Sequence, residues 1–345
     1  MWHGRLVRPW RCAADALHGR ASRPCHMNAG SAADSPHGWQ RLNRAHMLTA
    51  EQYLNPVVAA RVRRLDLRAK FIVEGFLAGL HDSPYRGFSL EFSEHRRYAP
   101  GDDPADLDWT VWARTDRLFV RTFQAETNLA AYLVVDTSRS MAWAGRPDAM
   151  TKGEYATALA AALSLLLARQ GDAVGLALVG EGLGRMLRPR GGRRQLVRIL
   201  AELAGREGAG RTDLAAGLHA LARRVKRRSL MLLVSDLLDE PEGVLAAMAH
   251  LAHRGHDLVV FQVLDAAERD LDAAGPVVLE DPETGAAVET DADAIRGAYR
   301  RRLEALVAQY ERGVRGLRGD FVSVTTSTPF DVALRRFLRE RKRRM

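Results

Sequence analysis

The chain predicts an α/β fold, a doubly wound and mostly parallel sheet with helices on both faces, preceded by a small α+β segment. Three observations predict it. From Leu129 onward, short apolar runs alternate with longer stretches of helical period, the order that builds a parallel sheet flanked by helices. The runs LAAYLVV and SLMLLVS are continuously apolar, as strands covered on both faces require. The first of them stops abruptly in Asp136-Thr137-Ser138-Arg139-Ser140, at the strand end where open α/β sheets place ligands.

Taken in order, residues 56 to 80 carry Val58, Val62, Leu65, Phe71 and Phe76 at helical spacing, and HDSPYRG interrupts them. Ser89 to Phe92 reads as a short strand, Pro104 to Arg114 as a helix with proline in its first turn, and Leu118 to Glu126 as an alternating strand. The main sheet then begins with a strand at Leu129 to Val135. A helix follows over Glu154 to Arg169, a strand over Ala173 to Val179, a short edge strand over Gly184 to Leu187, and helices over Arg193 to Leu203 and Asp213 to Lys226. Leu230 to Ser235 and Asp257 to Leu264 are strands around a helix from Pro241 to His253. PVVLEDPETGAAVET reads as a hairpin turning near Glu283-Thr284-Gly285. A long helix over Asp291 to Val314, a strand over Asp320 to Thr325 and a basic helix from Asp331 complete the order.

The length of 345 residues and an apolar content of 47% allow a substantial core. No apolar run approaches the ~20 residues of a membrane span, so a soluble, cytoplasmic protein is expected. The net charge of +9 belongs to the ends: residues 1 to 46 hold seven Arg against Asp15 and Asp34, and residues 335 to 345 hold seven Lys or Arg against Glu340. The body between is nearly neutral. Basic ends without interleaved aromatics read as solvated termini rather than a nucleic-acid surface. Residues 1 to 46 also hold both cysteines, Cys12 and Cys25, and five of the eleven histidines, and read as a flexible tail without a secretory signal. Translation starts either at Met1 or, on a sharper reading, at Met47, which opens MLTAEQYL with Thr49 as an N-cap.

The chemistry concentrates in five oxygen donors. Asp136, Ser138 and Ser140 leave the first buried strand, Asp236 closes the strand SLMLLVS, and Thr212 opens a helical segment in GRTDL. Carboxylates and hydroxyls with retained water suit Mg2+, with Mn2+ an alternative, whereas zinc favours thiolate or imidazole. The competing view is helix capping by the same residue types. Other clusters read as structural. Asp102, Asp103, Asp106 and Asp108 belong to turn and cap chemistry around Gly-Asp-Asp-Pro. His250, His253 and His256 suit a helix C-terminus, and no cysteine or HExxH partner makes them a zinc site. The segment from Leu183 to Arg194 has the composition of a phosphate loop without its order of residues.

The pattern Asp136-x-Ser138-x-Ser140 with Thr212 and Asp236 resembles the metal-ion-dependent adhesion site of von Willebrand factor A domains, over roughly residues 129 to 265. Upstream, Glu91-Phe92, Glu94-x-Arg96-x-Tyr98, Gly101-Asp102-Asp103, Asp108-Trp109, Ala113-Arg114, Leu118-x-Val120 and Glu126 resemble the signature of the bacterial family called domain of unknown function 58. Ala105 departs from the basic residue expected after the Gly-Asp-Asp turn. The resemblance implies a von Willebrand factor A-like (Rossmann-like) domain over residues 128 to 334, a family-specific segment over 47 to 127, and a basic C-terminal tail over 335 to 345. It further implies a non-catalytic, metal-dependent interaction module, an adaptor for a MoxR-type AAA+ ATPase acting on a client protein. The resemblance also implies that many relatives carry amino-terminal membrane spans, an expectation from which this sequence departs. The alternative is a metal-dependent hydrolase or phosphoesterase using the same carboxylates. No histidine beside the DTSRS loop, no nucleophile elbow and no two-metal array accompanies them, and His219 falls on an apolar helical pattern.

Overall fold

A computed structural model of the chain describes residues 55–60, 64–81, 95–97, 114, 118–121, 130–146, 149–205 and 213–344. At its centre lies a six-stranded sheet built from β3 (Ala130–Asp136), β4 (Ala173–Val179), β5 (Leu183–Arg190), β6 (Leu230–Ser235), β7 (Asp257–Leu264) and β10 (Asp320–Thr325). Their spatial order is β10-β7-β6-β3-β4-β5. Every neighbour is parallel except β5, which runs antiparallel to β4 along one edge. Because the chain turns outward from β3 in both directions, the carboxyl ends of β3 and β6 lie side by side at the reversal of strand order, where a crevice opens in this class of sheet.

Both faces are covered. Ala131, Leu133 and Val135 of β3 point into one core with α2 (Leu65–His81), α3 (Lys152–Arg169), α4 (Arg193–Ala204) and α9 (Phe330–Arg344). Tyr132 and Val134 point into a second core with α5 (Leu214–Arg224), α6 (Pro241–His253) and α8 (Ala292–Gly316). The same alternation in β6 sends Leu232 and Val234 one way and Met231 and Leu233 the other. Two-sided cover is the physical reason these strands read as unbroken apolar runs. The alternation of strand and helix expected from Leu129 onward is the one observed.

Helix α3 is apolar nearly all round because it is enclosed by the sheet, α2 and α4. Its start is fixed by a capping box, with Thr151 Oγ1 accepting from the Glu154 amide at 3.0 Å and Glu154 Oε2 accepting from the Thr151 amide at 2.9 Å. The box moves the helix start two residues ahead of Glu154, which places Lys152 in the first turn. At the other end of the chain, Phe330, Ala333, Leu334, Phe337 and Leu338 bury one stripe of α9, so the helix stays packed beyond residue 334. The Tyr155 ring stacks on Phe330 with centroids 4.6 Å apart, and its hydroxyl donates to the Thr328 carbonyl.

Smaller elements complete the order: α1 (Pro56–Ala60), the antiparallel pair β1 (His95–Arg97) and β2 (Phe119–Arg121), the short helix α7 (Ala266–Asp270), and the hairpin β8 (Pro276–Glu280) with β9 (Ala287–Asp291). In the hairpin turn, the Asp281 carboxylate accepts from the Glu283 amide and the Thr284 hydroxyl, and Gly285 takes φ 72°. Two expectations upstream, the strand at Ser89 to Phe92 and most of the helix at Pro104 to Arg114, lie outside the described residues. The edge strand is longer than Gly184 to Leu187, because antiparallel pairing with β4 holds the polar LGRMLRPR whole and an edge tolerates Pro189.

Gly175 sits where the β4–β5 register shifts, and a Cβ there would lie 2.6 Å from the Leu187 carbonyl oxygen and 2.9 Å from the Pro189 nitrogen. Both neighbours are backbone and cannot move aside cheaply. Gly175→Ala is expected to lower unfolding free energy by about 1–3 kcal/mol through overpacking, measured by urea denaturation.

Candidate metal centre

The site is assembled by the ends of β3 and β6. Asp136, the last residue of β3, is 1% exposed, and each carboxylate oxygen has a partner. Oδ1 accepts from the Ser138 amide at 2.8 Å, and Oδ2 accepts from the Ser235 hydroxyl at 2.6 Å. Thr137 is turned away, its amide and hydroxyl both donating to the Val179 carbonyl at the end of β4. This alternation is the strand period carried one step past the strand: Asp136 and Ser138 face the site while Thr137 ties the loop to its neighbour. A turn of 3-10 helix over Arg139–Ala142 then swings Ser140 back, and the two buried hydroxyls of Ser138 and Ser140 stand 2.9 Å apart.

Asp236 follows β6 and is 3% exposed. Its Oδ1 accepts from the Leu238 amide at 3.3 Å, and its backbone carbonyl accepts from Gln262 Nε2 on β7. Leu237 adopts φ 53°, a left-handed conformation that a bulky side chain takes only when its surroundings impose it. The Leu237 amide donates to Ser235 Oγ, so one hydroxyl braces both the tight turn and Asp136.

A cation of the chain itself enters this acidic edge. Lys152, fully buried in the first turn of α3, places Nζ 2.8 Å from Asp236 Oδ2 and 3.0 Å from the Glu268 carboxylate. Glu268 is itself positioned by a capping box at α7, where Asp265 is the N-cap. Two carboxylates thus hold one ammonium.

The electrostatics follow from burial. Loss of water, reinforced by the nearby charge of Asp236, pushes the Asp136 carboxyl up to about 6, while hydrogen bonds from Ser235 and Ser138 hold it back. Burial also disfavours ionised Asp236, but the adjacent Lys152 ammonium more than offsets it and keeps that carboxyl below its ordinary value. For Glu268 burial wins over Lys152, and its carboxyl rises to about 7. Burial would lower the Lys152 ammonium, and the charges of Asp236 and Glu268 raise it instead.

Of the five donors expected from the sequence, Asp136, Ser138, Ser140 and Asp236 meet at this one edge. Thr212 lies outside the described residues. Its neighbour Asp213 caps α5, accepting from the Ala216 amide at 2.8 Å, and the Asp213 amide donates to the Gly180 carbonyl just beyond β4. The donor set fits Mg2+ in kind, all hard oxygens, and the 2.9 Å between the two hydroxyls matches the edge, about 2.9 Å, of an octahedron with metal–oxygen bonds of 2.0–2.1 Å. Among the described residues no three His, Cys, Asp or Glu side chains group as a metal site, so an ion here would depend on hydroxyls and water beside the two aspartates.

Three residues of the site were not foreseen from sequence: Lys152, Glu268 and Ser235. Elsewhere, His250 does not group with His253 and His256 around a common point. Its Nδ1 stands 3.2 Å from Nδ1 of His219 on α5, while His256, beyond the end of α6, is buried and held below the ordinary histidine value by that burial. The phosphate-loop composition over Leu183 to Arg194 becomes β5 and the start of α4.

Ser235→Ala removes the 2.6 Å donor from a buried carboxylate and the acceptor from the Leu237 amide together. A loss of about 1–3 kcal/mol in stability is expected by chemical denaturation at neutral pH.

Among curated proteins, an uncharacterized protein of Mycobacterium tuberculosis is 33% identical over 294 residues, covering 84% of this chain and 91% of that protein. An uncharacterized protein of Mycobacterium avium is 30% identical over 139 residues, 39% of this chain and 78% of its own. Among solved structures, the conserved hypothetical protein BatB of Bacteroides thetaiotaomicron aligns with 15% identity and a TM-score of 0.42, over 62% of this chain and 99% of that one. The SpRpn10 VWA domain aligns with 11% identity and a TM-score of 0.35, over 60% and 93%. The sequence model described as protein of unknown function DUF58 matches residues 94–309. The chain belongs to the DUF58 family.

Proposed function

We propose that this protein is a non-catalytic, metal-dependent protein-interaction module. The observation that carries the reading is the convergence of Asp136, Ser138, Ser140 and Asp236 at the carboxyl edge of β3 and β6. In this reading these four residues and Thr212 hold Mg2+, or Mn2+ in its place, some of them through water. The ion supplies a hard positive charge at the sheet edge, and an acidic side chain of a partner completes its coordination. Asp136 and Asp236 balance the ion's charge, and the hydroxyls set its geometry. The partner we propose is a cytoplasmic MoxR-type AAA+ ATPase, with this chain as its adaptor or co-chaperone in assembling or remodelling a client complex. Among the described residues no helix is long and apolar enough to cross a membrane.

Asp136→Ala is expected to abolish magnesium binding in calorimetry and to leave the circular dichroism spectrum unchanged. Magnesium-dependent capture of the ATPase should be lost with it; unchanged capture would sink the proposal. Metal-dependent hydrolysis of phosphoesters by the intact protein, absent from the variant, would instead establish an enzyme.

The pH dependence has a defined sign. Metal needs the ionised carboxylate, so magnesium affinity should rise as pH climbs through about 6 and level off once Asp136 is fully deprotonated. Without metal, the folded state binds the Asp136 proton more tightly than the unfolded chain does. Its contribution to stability should therefore fall as pH rises from about 4 to about 6. Calorimetric titration and thermal melts across that window test the two opposed trends.

A further inference from the structure

We infer that Lys152 is a tethered cation that holds the strand-end site in its metal-free form and competes with the divalent ion for Asp236. The inference rests on the metal reading above and concerns what that ion must displace. Lys152 Nζ is fully buried and lies 2.8 Å from Asp236 Oδ2, in direct hydrogen-bond contact with the carboxylate that the ion would use. Glu268 holds the other side of the ammonium at 3.0 Å and is 1% exposed, so the lysine is fixed from two directions. Buried carboxylates without a cation are costly to keep ionised, and here the cation is supplied by the helix that builds the core.

Two consequences separate this arrangement from an ordinary internal ion pair. A divalent ion arriving at Asp236 meets a positive charge already bonded to its ligand, so its affinity is set by competition rather than by the donor set alone. Glu268 biases the competition: while it is ionised it shares the ammonium and loosens the hold on Asp236. Magnesium affinity should therefore respond in opposite directions to loss of Lys152 and loss of the Glu268 charge, although the two residues are partners in one cluster.

The test is calorimetric titration of the full chain with magnesium and with manganese, comparing wild type, Lys152→Met and Glu268→Gln, with thermal melts of each protein in metal-free buffer and in excess magnesium. Lys152→Met is expected to bind magnesium on the order of tenfold more tightly, to melt lower without metal, and to gain more from magnesium than wild type does. Glu268→Gln is expected to bind several-fold more weakly. Equal binding by wild type and Lys152→Met would overturn the tethered-cation role and leave the metal site standing. Binding by neither, to either metal, would overturn the metal reading and this inference together. If Lys152→Met does not fold, the Glu268→Gln titration decides, since unchanged or tighter binding there removes the competition.

Discussion

Two central strands covered on both faces leave polar side chains one place along them, their ends. β3 and β6 bury alternate side chains in opposite cores, and each carries its first acidic residue at its carboxyl end, Asp136 and Asp236. The parallel register between them sets those ends side by side. The site is thus a consequence of how the sheet is enclosed. Its donors need no separate scaffold, because the strands that present them are buried on both faces.

Concentrating carboxylates in a dry edge has a cost, and the local structure shows how it is met. Asp136 is stabilised by a hydroxyl and an amide, Asp236 by an ammonium and an amide, and Glu268 shares the ammonium while capping α7. The divergent effects on the two aspartates follow from this division. At Asp136 the neutral donors offset only part of the burial penalty, whereas at Asp236 the bonded Lys152 ammonium reverses it. Two acids one strand apart therefore differ in proton affinity because one of them faces Lys152.

Much of this was legible in the amino-acid order. β4 and β6 lie where the apolar runs lie, because burial on both faces leaves no interior polar position to blur them. Asp136, Ser138, Ser140 and Asp236 were legible for the same reason: oxygen side chains that follow such a run must lie at its end. Lys152 and Glu268 were not. In Thr-Lys-Gly-Glu the lysine looks like an exposed residue of a helix start, and in Asp-Ala-Ala-Glu the glutamate looks like half of a capping box, which it also is. Their meeting spans 116 residues and depends on how α3 and α7 are set against the sheet. No local pattern encodes that distance. The length of β5 was hidden differently, since an edge strand held largely by backbone pairing needs only a weak apolar signature, here Leu183, Met186 and Leu187.

The placement of Lys152 in the first turn of α3 joins two parts of the molecule that the sequence keeps apart. That helix is the platform on which α2 packs from upstream, and its Tyr155, three residues on, stacks with Phe330 at the start of α9 from downstream. The helix runs unbroken for 18 residues from that first turn. The charge at the sheet edge and the packing of α2 and α9 therefore share one helix, so the first turn that carries Lys152 also belongs to the platform on which elements from both ends of the described chain rest.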